Sequence, residues 1–191
     1  MKRQEKAKVT QKRIFNTAVQ LFNKNGYSHT TISDICKITG VAKGTFYIYY
    51  DSKESIVKES YYQNLNFYME SKFEKLNNED MTVKQQLSYF LILELQFAEK
   101  MGLEITTLAY TFNLKESMEK NNAHFSKRVF SNELHKLIEL AEHKQSTQLI
   151  FDALESLVRG IMATWCFSEG NFDMLIQGSI MIEDMLDYYI Q

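Results

Sequence analysis

The chain has 191 residues, 45% hydrophobic and 24% charged, which excludes an intrinsically disordered protein and gives length enough for one medium domain or two unequal ones. Proline is absent and glycine numbers only seven, a composition that suits long helices with short turns and disfavours an all-β chain of many tight turns. The net charge of −2 conceals an asymmetry: residues 1–60 carry eleven Lys/Arg against five Asp/Glu, and the rest carries eleven against nineteen, so a front of +6 precedes a body of −8. That is the footprint of a nucleic-acid headpiece on a domain with another task.

The basic N-terminus leads into no apolar stretch, since Val9 gives way to Thr10, Gln11, Lys12 and Arg13, and no apolar run approaches the ~18 residues of a membrane span. A cytoplasmic protein without membrane partner is expected. Cys36 and Cys166 sit outside any CxxC or metal-ligand spacing and read as small hydrophobes.

In chain order, Ile14, Ala18, Leu21 and Phe22 repeat at helical spacing and predict a first helix from about Val9 to Asn25, closed by Gly26. Thr31 opens a second, with Asp34 three places on as a short-armed capping box and Ile32, Ile35 and Cys36 as its buried face; it ends at Thr39-Gly40. Only Val41 and Ala42 precede the third, Lys43 to Tyr50. Two short helices joined by a glycine-containing turn form the helix-turn-helix pattern. Asp51-Ser52-Lys53-Glu54 reads as another capping box, opening a long helix with Ile56, Val57, Tyr61, Leu65, Tyr68, Met69 and Phe73 that fades at Asn77-Asn78. Further helices are expected over Val83–Met101, Leu103–Tyr110, Ser117–His143, Ser146–Phe167 and Phe172–Ile190. The fold class is all-α, about nine helices: a three-helix headpiece over 1–51 and a larger ligand-binding and dimerisation body over 52–191.

A helix entering the major groove needs small or polar residues on its leading turn. Lys43-Gly44-Thr45 supplies a long donor, a residue without a side chain and a short hydroxyl. Lysine can donate to a guanine edge, and Thr45 can touch a thymine methyl or a phosphate. Phe46 and Tyr50, four apart, would face the core. Lys53 reads as a phosphate clamp, and Thr31 with its helix N-terminus as a second phosphate site. Tyr49 and Ile48 are further candidates for contact. Each has a plainer alternative: solvated lysines, and half-buried aromatics for Tyr47 and Tyr49.

The stretch from Thr30 to Glu54 resembles the headpiece of TetR/AcrR-family regulators. It shares Thr31, Asp34-Ile35, Gly40-Val41, Gly44-Thr45-Phe46-Tyr47 and Ser52-Lys53-Glu54, and departs at Cys36 and Tyr50, where the family favours Ala and Phe. The resemblance is close over about residues 8–58 and reaches the body only as helix number and length. It implies that Tyr47 donates to a phosphate oxygen, that the final helix pair builds a dimer across a two-fold axis, and that ligands inside the body release DNA.

Dimerisation is expected because helix-turn-helix operators are palindromic. The apolar residues Leu154, Leu157, Val158, Ile161, Met174, Ile180, Met181 and Met185 are the candidate interface. Tyr61, Phe90, Phe97, Met101, Tyr110, Phe125, Met162 and Trp165 are the candidate pocket for an apolar or amphipathic inducer, with ordinary core as the alternative. His135, Glu139 and His143 lie four apart, but without a convergent fourth ligand they read as a solvated face; no metal or cofactor is expected. Absence of a phosphate loop, GxSxG, HExxH or CxxC argues against an enzyme. The sequence thus points to a DNA-binding regulator, most simply a repressor released from a palindromic operator by a small molecule. A DNA-bound adaptor recruiting a protein partner is the alternative.

Overall fold

A computed structural model describes residues 3–72, 81–120 and 129–190. Among these the regular structure is helical: α1 (Arg3–Asn25), α2 (Ile32–Thr39), α3 (Lys43–Tyr49), α4 (Lys53–Glu70), α5 (Val83–Met101), α6 (Leu103–Lys120), α7 (Val129–Leu140), α8 (Thr147–Phe167) and α9 (Met174–Tyr189). A lone antiparallel bridge joins His143 to Ile190 and ties the end of α9 to the α7–α8 connection.

Where the boundaries depart from the sequence pattern, local hydrogen bonding explains it. α1 starts at Arg3, six residues before the expected start at Val9, with Glu5 in its first turn favouring the helix dipole. α4 is capped by Ser52, not Asp51: Ser52 Oγ accepts from Ser55 N–H at 3.0 Å and Ser55 Oγ accepts from Ser52 N–H at 3.1 Å, so the box closes one residue later than the Asp51–Glu54 reading. α6 continues past Tyr110 to Lys120, its Thr107 and Thr111 hydroxyls donating to the carbonyls of Leu103 and Thr107. α7 ends at Leu140, before His143, and α9 begins at Met174 with Asp173 as its cap.

Buried hydrophobic side chains form one cluster running from Ile14 to Ile190. α5 is its centre, with Leu87, Phe90, Leu91, Leu93, Leu95, Phe97, Ala98 and Met101 all buried, while Gln85, Glu99 and Lys100 stay exposed. α9 approaches α5 closely at Gly178, where an added Cβ would lie 2.5 Å from Leu95 Cδ1. Cys36 is buried and Cys166 half-buried; burial raises both thiols above their ordinary pKa, which disfavours thiolate chemistry. None of the helices is long and apolar enough to cross a membrane among the described residues.

Candidate nucleic-acid interface

The turn between α2 and α3 is built by Gly40, whose φ of +68° is the left-handed conformation a β-carbon disfavours. The Gly40 and Val41 amides both donate to Cys36 O, closing α2. With Ile35, Cys36 and Phe46 buried, α2 packs on α1 and α3 on α2. Phe46 and Tyr50 are 0% and 2% exposed, as their spacing predicts.

The opposite face of α3 is open. Lys43, Gly44, Tyr47 and Ile48 are exposed, Tyr47 edge-on to the Phe46 ring at 5.5 Å, and Ile48 is 76% accessible. Thr45 and Tyr49 are half-buried, Tyr49 against the core. A β-carbon added to Gly44 would meet nothing within 4 Å, and its backbone needs no positive φ. The fold itself therefore makes no demand for glycine there.

Thr31 is exposed at the N-cap of α2, with its box complete. Its N–H and Oγ donate to Asp34 Oδ2 at 2.9 and 2.6 Å, and Asp34 N–H donates back to Thr31 Oγ at 3.2 Å. The two Thr31 hydrogen bonds, side chain first, hold the Asp34 carboxyl below its ordinary pKa of 3.8. A carboxyl lowered on folding binds its proton more readily when unfolded. Its contribution is thus complete above the ordinary value and lost as pH falls through the lowered one. We expect Asp34→Ala to destabilise the headpiece at neutral pH and to be indistinguishable from the parent under strongly acidic conditions, as read by urea melts at both pH values; a pH-independent difference contradicts the charge's role.

Lys53 departs from the sequence reading. It is half-buried and lines one shallow cleft with Thr31, but its ammonium does not stand out into solvent. Nζ donates to Tyr27 O at 2.6 Å and Thr30 O at 2.7 Å, and lies 4.3 Å from the Tyr27 ring centroid. Two of its three donors are spent on the α1–α2 turn. A second unanticipated contact reaches the same turn from the body: Tyr27 N–H donates to Glu104 Oε2 of α6 at 2.6 Å. No local pattern signals a pairing across 77 positions.

The model for "bacterial regulatory proteins, tetR family" matches residues 14–59, the helix-turn-helix just described. These residues form a helix-turn-helix headpiece of the TetR family. Among relatives of the chain, the HTH-type transcriptional regulator YuxN of Bacillus subtilis is 31% identical over 122 residues, 59% of this chain and 40% of YuxN. The fatty acid metabolism regulator protein of B. subtilis is 23% identical over 182 residues, 89% of this chain and 90% of that one. The crystal structure of the regulator FadR from B. subtilis in complex with stearoyl-CoA has the same fold, with a TM-score of 0.54 and 19% identity, covering 91% of this chain and 96% of FadR. The chain thus spans less than half of YuxN and nearly all of the other two.

In the body, Tyr61, Phe90, Phe97, Met101 and Met162 are buried, Tyr110 and Trp165 are half-buried, and Phe125 lies outside the described residues. The Tyr61 and Phe97 rings meet edge to face at 5.1 Å, and Phe90 stacks on Phe130 at 4.7 Å. His135 lies flat on Phe151 at 4.0 Å and His143 Nδ1 pairs with Gln145 O, so the His135–Glu139–His143 row is not assembled into one site.

The candidate dimer residues divide between core and surface. Leu154, Val158, Ile161 and Met174 are at most 4% exposed and belong to the core of the protomer. Leu157 and Met185 are half-buried, and Ile180 and Met181 are open at 58% and 46%. Ile176 and Phe167, which the sequence reading did not include, are exposed at 62% and 87%. A periodic pattern marks a residue as apolar, and both faces of α8 are.

Proposed function

We propose that the chain is a repressor that binds a palindromic operator as a homodimer and is released by a small amphipathic ligand. Functionally it divides into a DNA-binding headpiece over 1–51 and a body over 52–191 that dimerises and senses the ligand. It acts in the cytoplasm and is not an enzyme. One observation carries the reading: Gly44, on the leading turn of α3, is exposed, unstrained and unneeded by the fold. Glycine in a helix costs up to about 1 kcal/mol relative to alanine. Its presence there is accounted for by close approach of α3 to a partner outside the protein.

Around Gly44, Lys43 and Thr45 address base edges, Tyr47 and the α2 N-terminus at Thr31 address phosphates, and Tyr49 braces the helix. The similarity to FadR with stearoyl-CoA supports a long-chain acyl thioester as the ligand class. The half-buried Tyr110 and Trp165 offer it a polar edge on an apolar wall. Release is then a population shift toward a form whose two headpieces no longer match successive major grooves.

Selection of bound duplexes from a random pool at low ionic strength tests this. A recovered palindrome, with stearoyl-CoA lowering affinity for it, is the expected result. No affinity for any duplex overturns the reading.

A further inference from the structure

The turn between α1 and α2 is held by side chains from two other elements. Within the turn, Thr30, 1% exposed, donates its hydroxyl to Gly26 O at 2.9 Å and Leu21 O at 3.3 Å, and Thr30 N–H reaches Tyr27 O. From outside it, Lys53 of α4 takes the carbonyls of Tyr27 and Thr30, and Glu104 of α6 takes the Tyr27 amide. The Tyr27 ring, under the Lys53 ammonium, sits edge-on to Phe22 of α1 at 5.0 Å. Beside it, the α5–α6 corner at Gly102 lies so close to α1 that an added Cβ would stand 2.8 Å from Asn23 Oδ1. Thr31, the N-cap of α2, follows the clamped turn directly.

We infer that Lys53 and Glu104 clamp the Tyr27 turn by its carbonyls and its amide, and so set the angle at which α2 and α3 are presented to DNA. Lys53 is then a positioning residue and not a phosphate contact. Glu104 is the body's hold on the headpiece. This rests on the DNA-binding reading above. The physical case is that charge-assisted hydrogen bonds to backbone are about twice as strong as neutral ones, and that both ends of this turn lead into rigid helices. Glu104 also shares α6 with Tyr110, six residues and roughly 9 Å further along the axis. A ligand seated against Tyr110 that shifts α6 pulls on the Tyr27 amide.

The test uses the full chain with its selected duplex, measuring affinity against salt and amide hydrogen exchange at Tyr27 in the free protein. Lys53→Met is expected to weaken binding roughly tenfold or more at every salt concentration. The slope of log affinity against log salt should stay at the parent value. A slope reduced by about 0.9 per subunit marks a lost phosphate contact and overturns the assignment. Glu104→Leu should speed exchange at Tyr27 and weaken binding comparably, while Glu104→Gln, which retains an acceptor oxygen, restores most of both. Parent-like exchange and affinity in Glu104→Leu overturn the clamp while the regulator reading stands. If the unsubstituted chain binds no duplex, both fall.

Discussion

Replacing Ile180 with Glu should convert the dimer to monomer and lower operator affinity by two orders of magnitude or more. Ile176 and Ile180 lie four apart on α9 and are 62% and 58% exposed, Phe167 is open at the end of α8, and Leu157 is half-buried. An apolar surface of this kind, which the protomer leaves uncovered, suits a four-helix contact between two copies. A carboxylate placed in such a contact is desolvated without a counter-charge. Loss of the second headpiece then removes the gain of linked binding, roughly 10²- to 10⁴-fold. Light scattering and anisotropy on the selected duplex measure both effects. Ile161→Glu is the informative comparison. Ile161 is 4% exposed inside the protomer, so the charge there should lower the melting temperature of the subunit itself. An Ile180→Glu protein that remains dimeric places the interface elsewhere.

Gly44→Ala should move stability and binding in opposite directions. The added methyl meets no protein atom, and alanine is the better helix former, so the thermal melt should rise by the equivalent of a few tenths to about 1 kcal/mol. On DNA the same methyl stands between the α3 backbone and the groove. Overpacking of a close contact costs about 1–3 kcal/mol, which weakens operator binding roughly five- to a hundredfold. Most surface substitutions that stabilise a helix leave binding alone, so a rise in one with a fall in the other isolates the approach of α3 to its partner. Unchanged affinity would mean that the leading turn of α3 does not touch DNA.

Much of the headpiece was legible because its signals are local. Thr31 and Asp34 are three residues apart, and a capping box needs nothing beyond those two side chains and their own amides. Gly40 sits where a left-handed residue must end α2, and the i, i+4 spacing of Phe46 and Tyr50 assigns them the buried side of α3, leaving Tyr47 and Ile48 outside. The family resemblance over the same residues rests on these short spacings, which is why it stopped at the body.

What escaped was decided at longer range. The α8 and α9 apolar residues divide between core and surface according to which helices pack on them, and Leu154 or Ile161 differ from Ile180 in no property a sequence displays. Lys53 offers the same ammonium to a phosphate or to a carbonyl. Only the placement of the Tyr27 turn beneath it settles where its protons go. Glu104 has the ordinary character of a first-turn acid until the chain brings it to an amide 77 residues earlier. Periodicity and capping are properties of neighbouring residues and survive in the sequence alone. Pairing between distant segments exists only once the core has closed.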